Sequence, residues 1–63
     1  MPDMNDISKV TISIEKDKDG CYVGDMYVES ETYPKRTVHG RETLGELLIA
    51  LAFQLTNDYK EDD

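Results

Sequence analysis

From 44 to 55 the chain reads Leu-Gly-Glu-Leu-Leu-Ile-Ala-Leu-Ala-Phe-Gln-Leu, a run too apolar for a helix with one wet side. At about 100° per residue, Leu44, Leu47, Leu48, Leu51 and Leu55 gather into one core-facing stripe. Ile49 and Phe53 leave from roughly the opposite side, where a monomer's helix carries charge, and Ala50 beside them allows close approach. A chain of 63 residues builds one thin core and cannot enclose both faces of a helix. Something else must cover the second face. Three covers are open: a second copy packed on Ile49, Ala50 and Phe53, a foreign partner, or the amino-terminal segment folding back through Met4 and Ile7. The first two make this an interaction protein.

The sheet that would carry this helix is legible upstream. Val10, Ile12 and Ile14 alternate with Thr11, Ser13 and Glu15, the period of a half-buried strand. Asp19-Gly20 signals a hairpin, because both residues tolerate positive φ. The returning strand over 21–28 carries Tyr22, Met26 and Val28 on one face, with Gly24 marking a bulge or a close backbone approach. Over 29–36 the strand continues or a wide loop begins, and Pro34 ends that stretch or confines it to a sheet edge. Thr37 and Val38 form a short third strand before Gly40 turns the chain. Thr43 followed by Glu46 is a capping box, and the helix runs from Leu44 to Asn57 or Asp58, with Asn57 as terminator.

The expectation is a two-layer α+β domain: a three-stranded antiparallel sheet with one carboxy-terminal helix across it, in the order β-β-β-α. Its core would be Val10, Ile12, Ile14, Tyr22, Met26, Val28 and Val38 against the leucine stripe. Residues 1–8 read as a flexible lead-in, 9–59 as the single domain, and 60–63 as an acidic tail.

Charge and cysteine content narrow the function classes. The net charge is −7, from 14 carboxylates against 7 Lys and Arg, so direct contact with nucleic acid or an anionic membrane is disfavoured. Such acidity serves solubility, or meets a basic partner and speeds the encounter. With Cys21 the only cysteine, no intramolecular disulfide or cysteine metal knuckle can form, which fits a reducing, cytoplasmic setting. No run approaches the roughly 18–20 apolar residues of a membrane span, and the acidic amino terminus is wrong for a secretion signal.

The order of signals resembles the HicB-like antitoxin domain. The residues that carry the resemblance are Asp19, Gly20, Tyr22 and Val23, then Thr37 or Val38, Gly40, Thr43 and Leu44, within a stretch from about 9 to 55. The resemblance implies the partial ribonuclease-H-like fold of that family and assembly as dimers or larger oligomers. It also implies neutralisation of a small, basic, RNA-cleaving HicA-type toxin. The charged segment 29–36 stands where the family has a Pro-Gly loop, and the DNA-binding segment that many members carry after the helix is not expected here. That points to a phage or mobile-element member that blocks a host nuclease or defence complex.

Catalytic and metal chemistry find little support. His39 stands alone between Val38 and Gly40, and Cys21 has no neighbouring base. Asp17, Asp19 and Gly20 lack the remainder of a calcium loop. Glu15, Asp25 and Glu46 would need to converge to hold a metal pair, and Glu46 already has a capping role. The reading is therefore a non-enzymatic inhibitor without cofactor or metal, acting on itself as a homodimer or higher oligomer and on a basic nucleic-acid-processing protein. Asp25, Glu29 and Glu31 would take the positions of phosphates on that partner, while Tyr27 and Tyr33 supply apolar contact. The alternative is an oligomeric small-ligand module that captures a nucleotide or other anion at Arg36, His39 and Arg41.

Overall fold

The structure is a computed structural model that describes residues 2–60. Three strands, β1 (Ile7–Lys16), β2 (Tyr22–Ser30) and β3 (Lys35–Arg41), precede one helix, α1 (Leu44–Asp58). The sheet is antiparallel throughout, in the order β1-β2-β3, and α1 lies across one face. This is the expected β-β-β-α, two-layer α+β architecture.

Register decides which side chains meet the helix. Ile14, Ile12 and Val10 stand opposite Gly24, Met26 and Val28, so these six share the inner face. Near its start β1 carries one extra residue: Ile7 pairs with Ser30 and Lys9 with Glu29, leaving Ser8 unpaired in the ladder. A strand alternates faces, so Ile7 and Val10 would otherwise point to opposite sides. The bulge turns Ile7 inward, where it packs against the core.

The hairpin between β1 and β2 is built by Asp17 more than by Asp19. The Asp17 carboxylate accepts from the amides of Asp19 and Cys21, at 2.9 Å each, while its carbonyl accepts from Gly20 N–H at 3.2 Å. Among the described residues Gly20 alone has positive φ, at 87°. The link is thus a turn closed by one left-handed glycine, and Asp19 keeps negative φ.

At Gly24 the close-approach alternative holds. A Cβ placed there would stand 3.0 Å from a Leu51 methyl and 3.1 Å from two of Leu47, so α1 settles directly on the β2 backbone. Thr43 caps α1 as expected, its hydroxyl accepting from Glu46 N–H at 3.1 Å and donating to the Glu46 carboxylate at 2.9 Å. The helix ends at Asp58, one residue past Asn57, and Tyr59 leaves in an extended conformation.

The core is thinner and differently placed than expected. Its buried members are Met26, Val28, Leu47, Leu51 and Tyr59, with Met4, Ile7, Ile14, Tyr22 and Leu55 packed around them. Val38 is exposed because it pairs with Asp25 and so belongs to the outer face. Val10 and Ile12 do face inward yet remain 38% and 45% exposed, and Leu44 and Leu48 of α1 stay 44% and 47% exposed. The helix has settled over β2 and β3 and leaves the middle of β1, at Val10 and Ile12, uncovered.

The lead-in over 1–8 is tied down where it is described. Asp3 caps a 3₁₀ turn, Met4–Asp6, and Ile7 already belongs to β1. Met4 N–H donates to the Lys60 carbonyl at 2.7 Å and Lys60 N–H to the Pro2 carbonyl at 2.6 Å, clamping the start of the chain to the end of α1. Of the acidic tail 60–63, residues 61–63 lie outside the described residues. No helix among the described residues is long and apolar enough to cross a membrane.

Candidate functional site

Two surfaces gather the residues singled out in the sequence: the solvent side of α1 and the outer face of the sheet. On α1, Ile49 is 60% and Phe53 65% exposed. The back-folding alternative therefore fails: Met4 and Ile7 pack on the main core and leave both side chains in water. With Ala52 and Thr56 they line a shallow apolar hollow of about 250 Å³. Ala50 sits lower on the helix flank and is only half-exposed.

That flank meets β3 through a polar seam. The inner positions of β3 are Lys35, Thr37 and His39, because Met26 stands opposite Thr37 and Gly24 opposite His39. Helix positions 54 and 58 are polar as well. His39 Nε2 meets Gln54 Oε1 at 3.0 Å, and Gln54 Nε2 donates to Asp58 Oδ2 at 2.8 Å. Lys35 Nζ closes the chain of contacts on Asp58 Oδ1 at 3.0 Å. Burial pushes the Asp58 carboxyl up, but hydrogen bonds from Gln54 and Lys35 outweigh it and hold the group below its ordinary value. Hydrogen bonding to Asp58 raises Lys35 in turn. Sequence reasoning placed none of these contacts, yet a signal existed. Lys35, Thr37 and His39 recur at a spacing of two, and Gln54 and Asp58 at four, which marks two polar rows able to face each other.

Beside the seam a hollow of about 440 Å³ opens, lined among others by His39, Arg41, Glu46, Ala50, Phe53 and Gln54. The alternative ligand set does not assemble there. Arg36 pairs with Tyr27 on the outer face, whereas His39 and Arg41 belong to the inner one. A strand alternates faces, so no anion touches all three from one side of the sheet. Arg36 is also engaged, its guanidinium clamped on the Asp25 carboxylate through Nε and Nη2. That clamp lowers the Asp25 pKa and raises that of Arg36.

The proposed partner-binding set is only partly contiguous. Asp25, Tyr27 and Glu29 line the outer face of β2, while Glu31 and Tyr33 stand in the loop before β3. Asp25 is neutralised by Arg36, whereas Glu29 and Glu31 form no ion pair among the described residues. Tyr33 has a structural task, its ring lying 5.9 Å from that of Tyr59 at 58° and its carbonyl accepting from the Tyr59 hydroxyl. Burial raises the Tyr59 phenol above its ordinary value.

Glu15 and Asp25 occupy the outer face while Glu46 caps the helix on the other side of the sheet, so these carboxylates do not converge. Among the described residues no three His, Cys, Asp or Glu side chains stand close enough together to hold a metal ion. Cys21 is half-buried and unbridged. The arrangement is that of a binding surface: an apolar ridge on one layer and an open, mixed-charge sheet face on the other. No protein-family model, curated protein or solved structure matches this chain.

Proposed function

We propose that this chain is a small acidic protein-binding inhibitor that occludes the active or nucleic-acid-binding surface of a basic partner. The observation that carries the reading is the exposure of Ile49 and Phe53, at 60% and 65%, on the most apolar segment of the chain. Two large side chains on one ridge are the anchors that interface cores are built around. Glu29 and Glu31, exposed and free of ion pairs among the described residues, add the charge that draws a cationic target. The HicB-like resemblance supports the same role, either as an antitoxin or as a phage-borne block on host defence.

Titration against small basic RNA-cleaving proteins of the HicA type tests this. Inhibition that is lost in Phe53→Lys, and that sets in more slowly in the double variant Glu29→Lys/Glu31→Lys, is the expected outcome. Cleavage that proceeds unhindered under excess chain would remove the reading.

A further inference from the structure

The two edges of the sheet differ in how they discourage pairing with another strand. Edge strands are kept apart in monomers by inward charges, lysines and proline. The β3 edge has all three: Pro34 precedes it, Lys35 points inward, and Arg36 and Arg41 flank its ends. The β1 edge has none of them along its middle. It is ten residues long, and Val10-Thr11-Ile12-Ser13-Ile14 carries neither charge nor proline. Only one side of β1 is paired among the described residues, and in the middle of its inner face Val10 and Ile12 remain exposed, although Ile7 and Ile14 reach the core. On the helix flank turned away from β3, Leu44 and Leu48 are exposed as well.

We propose that β1 pairs antiparallel with β1 of a second copy, with Ile12 opposite itself on the two-fold axis. The sheet then runs continuously through both copies, with both helices on one face. This inference goes beyond the inhibitor reading and stands on a different surface, leaving Ile49 and Phe53 free for a foreign target. Charge matching selects the occupant and the register together. With Ile12 at the axis, Lys9 of each copy stands opposite Glu15 of the other. Both belong to the outer face, since they pair with Glu29 and Val23 of β2. Thr11 then meets Ser13, and on the inner face Val10 meets Ile14, the cross-strand pairs that stabilise sheets. Moving the axis to Ser13 would set Glu15 against Thr11 and forfeit the match. A chain of net charge −7 repels its own copy, so it needs a neutral contact with opposite charges at its ends. β1 supplies that contact twice over by symmetry. Val10 and Ile12 of both copies then lie side by side on the inner face, in the space between the two helices.

Sedimentation of the full chain at micromolar concentration tests the proposal, because Lys9 and Glu15 are exposed and their exchange leaves the fold intact. The wild type is expected to sediment as a dimer. Lys9→Glu sets like charges opposite each other at both ends and should weaken association roughly ten-fold. The swap Lys9→Glu/Glu15→Lys should restore it. A wild type that stays monomeric, a Lys9→Glu variant that associates unchanged, or a swap that fails to rescue would each overturn the pairing. Should Phe53→Glu dissociate the dimer while Lys9→Glu does not, the helix ridge is the self-contact. The β1 pairing then falls, and the inhibitor reading loses its anchors with it, whereas a monomeric wild type overturns the pairing alone.

Discussion

The helix meets the sheet differently on its two sides. Towards β3 it is sealed: Lys35 and His39 reach up from the strand, Gln54 and Asp58 reach down, and four side chains share three polar contacts. Towards β1 it is open: Val10 and Ile12 on the strand stay 38% and 45% exposed, and Leu44 and Leu48 on the helix 44% and 47%. The polar side is closed and the apolar side is not, the reverse of what hydrophobicity alone would suggest. The cause lies at Gly24 and in the strand parity. A strand without a side chain at that point lets Leu47 and Leu51 sit over β2. The helix then leans to β3, where directional contacts hold it.

The largest effects should come from the line along which both sides are hinged. Leu47→Ala removes a fully buried side chain from a core of five and should cost about 2–5 kcal/mol. For so small a domain that is most of its stability, and urea titration should show little folded chain. Gly24→Ala should cost about 1–3 kcal/mol, because its methyl meets Leu51 and Leu47 at 3.0–3.1 Å and pushes the helix off both sides at once.

Breaking the seam itself should cost less. Asp58→Ala strips Lys35 and Gln54 of their shared acceptor and should lower stability by about 1 kcal/mol, since the site is only partly shielded from water. Its pH signature is specific. Asp58 has a folded pKa below its ordinary value, so its contribution is full above that value and is lost as pH falls through the depressed one. Lys35 has a raised pKa, so its contribution is full below its ordinary value and is lost as pH rises through the elevated one. Tyr59, raised by burial, acts at the same alkaline end. Melting temperature should therefore hold between about pH 4 and 10 and fall on either side. Asp58→Asn should flatten the acid limb, and a profile identical to wild type there would show that the seam contributes nothing.

The contrast between the two sides also marks how far the sequence could be read. Strand order, the capping box and the helix span followed from local periodicity and cap chemistry, which depend on neighbours a few residues apart. The choice of inner residues in β3 did not. Val38 is the one apolar residue of the pair Thr37-Val38, and hydrophobicity assigns it to the core. Register with β2 puts it opposite Asp25 and gives the inner face to Thr37 and His39. Tyr59 was missed for a related reason: it lies beyond the last helical residue, and only the clamp between Pro2, Met4 and Lys60 closes the core around it. Ile7 needed the bulge at Ser8, which no periodic pattern announces. Ile49 and Phe53 were legible because their placement depends on helix geometry alone.

The smallest stability effect is expected at the residues most conspicuous in the sequence. Ile49 and Phe53 keep most of their surface in water in the folded chain, so folding removes little of it. Truncation or charge there forfeits little packing and no side-chain hydrogen bond. Ile49→Lys/Phe53→Lys should accordingly shift unfolding by no more than about 0.5 kcal/mol, the range of surface substitutions. It places positive charge on the solvent side of the helix, at the rim of the hollow beside the seam, without removing any of the seam's contacts. A melting temperature close to wild type, combined with loss of target inhibition, is the outcome that separates a ridge kept for binding from one kept for folding. A destabilisation on the scale of Leu47→Ala would mean instead that the ridge is buried in the working assembly, and that the open and sealed sides share a third, apolar boundary.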